Sequence, residues 1–210
     1  MITASVLQET QAPPLEIRVF DHDLDLWLID DRNGRPLGQP RLILGMDMVT
    51  RAVLGFSVMT GPVTTPSLVE CLQHATVPKT LSGDLGGAWM PFGIPKRVWM
   101  ERASWCESRQ VRTFCQARGI QLTWLTPRTS QAMIERFGHS LREQFASATG
   151  YGTQARLIRA RDVLPESTPV MTLPAFRGVL ESYIAGSYHR TPHSTLKVSP
   201  MEAWHSLREG

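Results

Sequence analysis

The stretch Leu15-Glu16-Ile17-Arg18-Val19-Phe20-Asp21 decides how this chain folds. Apolar side chains recur there at a period close to two, the pattern of a strand with a buried face. An acid, Asp21, closes the run, and the apolar pattern resumes in Leu26-Trp27-Leu28-Ile29. Residues 15–30 therefore read as one long strand, or as a strand with a break near Asp21. Working outward, Asp31-Arg32-Asn33-Gly34 is a turn signal, and Pro36 to Pro40 prolongs the connection. Arg41 to Asp47 and Ala52 to Met59 are two further strands. Three successive strands on short connections make an antiparallel meander.

The pattern then changes period. Thr65 reads as an N-cap with Pro66 at the first helical position, followed by Leu68, Cys71, Leu72 and Ala75 at helical spacing. Residues 78–95 are rich in Gly and Pro and read as an irregular loop. Arg97 to Met100 is a fourth strand, Glu107 to Ala117 a helix stopped by Gly119, and Ile120 to Leu125 a fifth strand. A helix is predicted from Ser130 to about Ala146, with Ile134, Phe137, Leu141 and Phe145 on one face. Residues 150–169 form an irregular basic stretch with Arg156, Arg159 and Arg161, and Leu173 to about Ser187 is a last long helix. The order β-β-β-α-β-α-β-α-α predicts an α/β fold. Its mixed five-stranded sheet has three antiparallel strands, then two parallel ones, flanked by helices.

With 210 residues, 42% hydrophobic and 20% charged, the chain can bury one core. The expected division is a flexible lead over 1–14, a core over 15–205 and a tail over 206–210. No apolar run approaches the roughly 18 residues of a membrane span, and Met1 to Pro14 lacks the pattern of a signal peptide. Together with three cysteines that form no CxxC pair, this predicts a cytoplasmic protein with reduced, buried thiols. The net charge of +3 is a weak sign of a nucleic-acid partner, but it is unevenly spread. Residues 1–50 hold 8 acids and 4 bases, whereas residues 101–150 hold 4 acids and 7 bases, all of them Arg.

Three acids carry the chemical reading. Asp21 ends the first strand, Glu101 follows Val98-Trp99-Met100, and Glu135 sits in Met133-Ile134-Glu135-Arg136-Phe137 on the amphipathic helix. Carboxylates delivered from two strand ends and a helix can converge on a pair of hard divalent cations, the usual arrangement for phosphodiester chemistry. Glu101 reads equally as a surface residue, and Glu135 as a solvated helix glutamate. Yet Glu135, His139 and Arg142 share one helical face, which offers a metal ligand and two phosphate contacts. Arg136 and Arg102 are further candidates for contact with DNA. Asp47, His189 and His193 read as structural. Trp27, Trp99, Trp124 and Trp204 read as core, with Trp89 and Trp105, beside Gly-rich or polar segments, as the more plausible DNA-facing pair.

Five segments, in order, resemble the catalytic core of DDE transposases and retroviral-type integrases, most of all the phage Mu transposase-like bacterial transposases. They are Phe20-Asp21-His22-Asp23, Asp47 to Phe56, Phe92-Gly93-Ile94-Pro95, Thr126-Pro127 through Ile134-Glu135-Arg136-Phe137, and Tyr188 to Leu196 with Ser199-Pro200 and Trp204. The resemblance implies a ribonuclease H-like fold with Asp21, Glu101 and Glu135 as catalytic and metal-binding residues. It implies two Mg2+ or Mn2+ ions, DNA as partner, self-association on DNA and contact with other transposition proteins. The reaction implied is metal-dependent strand cleavage followed by strand transfer during DNA integration or recombination. The chain departs from the family at the second acid, where Asp, commonly followed by Asn-Gly, is replaced by Glu101-Arg102-Ala103. That motivates an alternative: a catalytically degenerate integrase-like core that binds DNA or a transposase partner without chemistry. A structure-selective nuclease using the same metals is a third reading.

Overall fold

The computed structural model describes residues 12–24, 26–80, 88–89, 91–125, 137–141 and 170–208. Its strands are β1 (Glu16–Asp23), β2 (Trp27–Ile29), β3 (Pro36–Gly38), β4 (Pro40–Asp47), β5 (Val53–Thr60), β6 (Lys79–Thr80), β7 (Ala88–Trp89), β8 (Arg97–Glu101), β9 (Gln121–Leu125) and β10 (Val170–Thr172). The helices with full bounds are α1 (Thr65–Thr76), α2 (Arg109–Gln116), α3 (Leu173–Ser182) and α4 (Pro200–Arg208). Residues 137–141 are also helical.

β1 is the middle of a five-stranded sheet ordered β5-β4-β1-β8-β9. It runs antiparallel to β4, from Ile17↔Asp47 to Asp23↔Arg41, and parallel to β8, through Ile17↔Val98 and Arg18↔Trp99. The predicted sheet, three antiparallel strands followed by two parallel ones, is therefore the observed one. The period of two sorts β1 between two cores. Ile17 and Val19 pack with Leu68, Leu72, Val98 and Val111 on the side of α1 and α2. Phe20 packs with Leu28, Phe137, Phe176 and Tyr183 on the opposite side.

Of the two readings of residues 15–30, the strand with a break near Asp21 is the observed one, and the break follows Asp23. β1 passes through Asp21 to Asp23, and the chain then enters a second sheet ordered β10-β2-β3. The reason lies in its partner. Leu24 N–H makes a last bond to Pro40 C=O at 3.2 Å. Beyond it Pro40 has no N–H, and Gly38 at φ 121° turns the strand away.

Capping residues place the helices. Thr64, not Thr65, is the N-cap of α1: its hydroxyl accepts from Ser67 N–H at 3.3 Å, and Ser67 Oγ accepts from Thr64 N–H at 3.0 Å. Ser108 caps α2 through Val111 N–H at 3.2 Å. α4 was not among the predicted helices, although Ser199 and Glu202 form its capping box, with Ser199 N–H donating to Glu202 Oε2 at 2.7 Å. The last long helix is regular only to Ser182 and continues as a π-helix over Tyr183–Tyr188. Two bonds to the β4–β5 hairpin follow that wide turn. Tyr188 Oη donates to Arg51 C=O, and His189 Nε2 accepts from Val53 N–H, both at 2.9 Å. Within the predicted loop 78–95, β6 and β7 pair as a short antiparallel ribbon. The basic stretch 150–169, and all of the 130–146 helix except 137–141, lie outside the described residues.

The three cysteines are free and buried, as expected. Among the described residues no helix is long and apolar enough to cross a membrane.

Candidate active site

Parallel pairing carries two of the three acids to one sheet edge. Counting on from Arg18↔Trp99, β1 reaches Asp21 three residues later and β8 reaches Glu101 two residues later. Both carboxylates line a cleft of about 110 Å³ together with Arg18, Val19, Phe20 and Trp105. Both are reachable from solvent, with side-chain exposures of 41% for Asp21 and 60% for Glu101. Strand alternation sets them on opposite faces, Asp21 aligned with Ile43 and Glu101 following Trp99, so they meet over the edge between β1 and β8. The two strands are tied at their start. Glu16 accepts from Trp99 Nε1 at 2.8 Å and from Arg97 Nη1 at 2.9 Å.

The neighbouring charges differ in their commitments. Arg41 holds Asp23 through both carboxylate oxygens, with Nη2 to Oδ2 at 2.7 Å. That hydrogen bonding keeps the Asp23 carboxyl below the usual carboxylate range and raises the Arg41 pKa. Asp21 meets Arg41 only at 3.9 Å. Arg18 is the residue that the sequence reading overlooked. Its guanidinium is 5% exposed, and Nη2 lies 3.8 Å from Glu101 Oε1. Burial lowers the Arg18 pKa, and Glu101 works against that shift. The signal was legible: Arg18 is a charge on the Phe20 face of the strand, three residues before an acid.

The helical segment 137–141 is anchored beside Asp21. The Phe137 ring meets Phe20 edge-on at 6.4 Å, Leu141 is fully buried, and Gly138 lies against the His22 imidazole. The two β1 residues flanking Asp21 thus hold the segment that begins two residues after Glu135. Glu135, Arg136 and Arg142 themselves lie outside the described residues. His139 is exposed on that helix and lines a separate cavity of about 340 Å³ with Phe137, Tyr183, Tyr188 and His193.

Other expectations sort by burial. Arg102 is exposed, 3.4 Å from Glu107 and over the Trp124 ring at 5.3 Å, so its charge is directed to those groups. Trp105 forms a wall of the acid cleft. Trp204 is core, while Trp27, Trp99 and Trp124 are half-buried. Asp47 is a hairpin residue: fully buried, it accepts from Thr50 N–H at 2.9 Å and from Thr50 Oγ1 at 2.6 Å.

Hard oxygen donors open to solvent suit Mg2+ or Mn2+, and Asp21 provides them. Glu101 fits a second ion poorly, because the Arg18 cation already stands beside it. Among the described residues no three His, Cys, Asp or Glu side chains form a metal-holding group.

A family profile described as the TnsB C-terminal domain matches residues 20–150. No curated protein matches the chain in sequence. Among solved structures, a simian T-cell lymphotropic virus intasome in complex with the PP2A regulatory subunit B56 gamma is similar at TM-score 0.56 and 14% identity, covering 97% of this chain. The chain spans 58% of the length of that intasome chain. The HTLV-2 integrase catalytic core domain in complex with magnesium gives TM-score 0.52 and 11% identity over 92% of this chain and 97% of that one. The BIV integrase catalytic core domain gives 0.51 and 12% over 92% and 95%. These likenesses concern the fold, which is the ribonuclease H-like fold of integrase catalytic cores.

Proposed function

The chain belongs to the TnsB C-terminal domain family, a transposase and integrase family, and we propose that it is the catalytic core of a DNA transposase that cleaves and joins strands. One observation carries this reading: Asp21 and Glu101 share a cleft, and Phe20 and His22 hold the helix that follows Glu135. A divalent ion bound there would supply the positive charge that activates an attacking oxygen and stabilises a leaving one at phosphorus. Asp21 is the principal ligand in this proposal, Glu135 the third acid and Glu101 a substitute for the usual Asp. Asp21 is held in the sheet by its pairing with Ile43 of β4. Arg41 keeps Asp23 engaged, which leaves Asp21 as the carboxylate of β1 that faces the cleft. Arg102, Arg136, His139 and Arg142 are the proposed DNA contacts. The proposal extends to kinship with phage Mu-like transposases, residues 15–205 as the core, self-association on DNA, contact with other transposition proteins, and a cytoplasmic location.

The test is Mg2+- or Mn2+-dependent nicking of plasmid DNA by the full chain and by Asp21→Asn. Loss of nicking in the variant, with its melting temperature retained, is expected; undiminished nicking would refute the assignment. A second reading, a core that binds DNA or a transposase partner without chemistry, is favoured by the Arg18–Glu101 pairing at 3.8 Å.

A further inference from the structure

We propose that Arg18 binds a phosphodiester oxygen in the cleft and that its charge keeps a second metal ion off Glu101, so that the site takes one divalent ion, on Asp21. The inference rests on the reading that the cleft acts on DNA, and within that reading it replaces Glu101 as a metal ligand by Arg18 as a phosphate contact. Arg18 is 4% exposed, and among the described residues its Nε has no hydrogen-bond partner. Its ionic contact with Glu101, at 3.8 Å, is longer than a hydrogen bond. A buried guanidinium whose Nε–H has no partner is costly unless something occupies it. Other arginines of the sheet are satisfied: Arg41 by Asp23, Arg97 by Glu16 and Gln121. Arg18 instead lines the cleft that holds Asp21, Glu101 and Trp105.

The guanidinium fork matches the oxygens of a phosphodiester, and its charge is fixed at any working pH. A divalent ion on Glu101 would be pressed against that charge at short range and repelled. The exposed Glu101 carboxylate is free to swing away when a phosphate enters, which leaves the cation to the incoming oxygen. No bond is made or broken by Arg18; it holds the phosphate while Asp21 holds the ion.

Two measurements on the full chain test this. Mn2+ is counted by electron paramagnetic resonance in the wild type, Asp21→Asn, Arg18→Met and Arg18→Lys. Duplex DNA affinity is then followed against salt without divalent ions. The wild type should bind one ion, lost in Asp21→Asn, and Arg18→Met should admit a second. Its salt slope should fall by about 0.9, one phosphate contact, whereas Arg18→Lys keeps one ion and the slope. Two ions in the wild type, or an unchanged slope in Arg18→Met, overturns the inference and leaves the proposed function standing. If Arg18→Met does not fold, two ions in Arg18→Lys overturn it equally. No ion in either the wild type or Arg18→Met ends the inference and the metal-dependent function together.

Discussion

Gly138 approaches His22 so closely that a Cβ on Gly138 would lie 2.4 Å from both Cε1 and Nε2 of the imidazole. A glycine is needed there because the helical segment 137–141 rests on β1 beside Asp21. Gly138→Ala should push the two apart. Overpacking of this kind costs about 1–3 kcal/mol, so the melting temperature should fall and nicking should fall further. The double variant Gly138→Ala, His22→Ala should recover stability. If Gly138→Ala alone melts like the wild type, the close approach does not exist in solution.

Glu16 fastens β1 to β8 ahead of both acids. Glu16→Ala removes the acceptor of Trp99 Nε1 and of Arg97 Nη1. Hydrogen bonds to charged groups contribute about 1.5–3 kcal/mol. The urea midpoint should drop by a corresponding amount at constant m-value; a shift within measurement error would show that the clamp contributes nothing.

Two histidines accept backbone N–H groups of β5 and must be neutral to do so. His74 Nδ1 accepts from Phe56 at 3.1 Å, and His189 Nε2 from Val53 at 2.9 Å. Burial, followed by the Lys79 charge, lowers His74 to about 4 and His189 to about 3, with Arg177 adding to the shift at His74. The unfolded value is about 6.5. Both folded values lie below it, so the contribution is complete above about 6.5 and is lost as pH falls towards 4 and then 3. Thermal melts from pH 8 to 4 should show this decline, and His74→Gln should flatten its upper part. A melting temperature independent of pH over that range would contradict the assignment of these two imidazoles as neutral acceptors.

Glu101→Asp separates an active core from a degenerate one. Shortening the arm by one methylene restores the acid usual in the family and lengthens the distance to Arg18, now 3.8 Å. An active or nearly intact site should gain nicking, by roughly tenfold for each 1.36 kcal/mol of barrier removed. Absence of nicking in both proteins, with DNA still bound, would favour the core without chemistry.

Much of the sheet is legible locally. The alternation around Ile17 and Val19, the strands of the meander and the Val98–Met100 run are set by neighbours a few residues apart. The cap at Ser199 is equally local, a Ser-x-x-Glu box with Glu202. The exact end of β1, at Asp23, was not legible, since it depends on where β4 begins, at Pro40. The π-helix was hidden too: its wide turn accompanies Tyr188 and His189 contacts to a hairpin more than a hundred residues earlier.

The amino-acid order alone determined the succession of the five strands of the main sheet with α1 and α2 among them, and the placing of an acid near the end of each of two of those strands, because side-chain periodicity is a short-range property. Only the folded chain decided that Arg18 is buried 3.8 Å from Glu101, and that Phe137 and Gly138 rest on the neighbours of Asp21. Those relationships join residues about 80 to 120 positions apart, as the pairs Arg18–Glu101 and Phe20–Phe137 show. They arise from strand pairing and core packing, which no local pattern specifies.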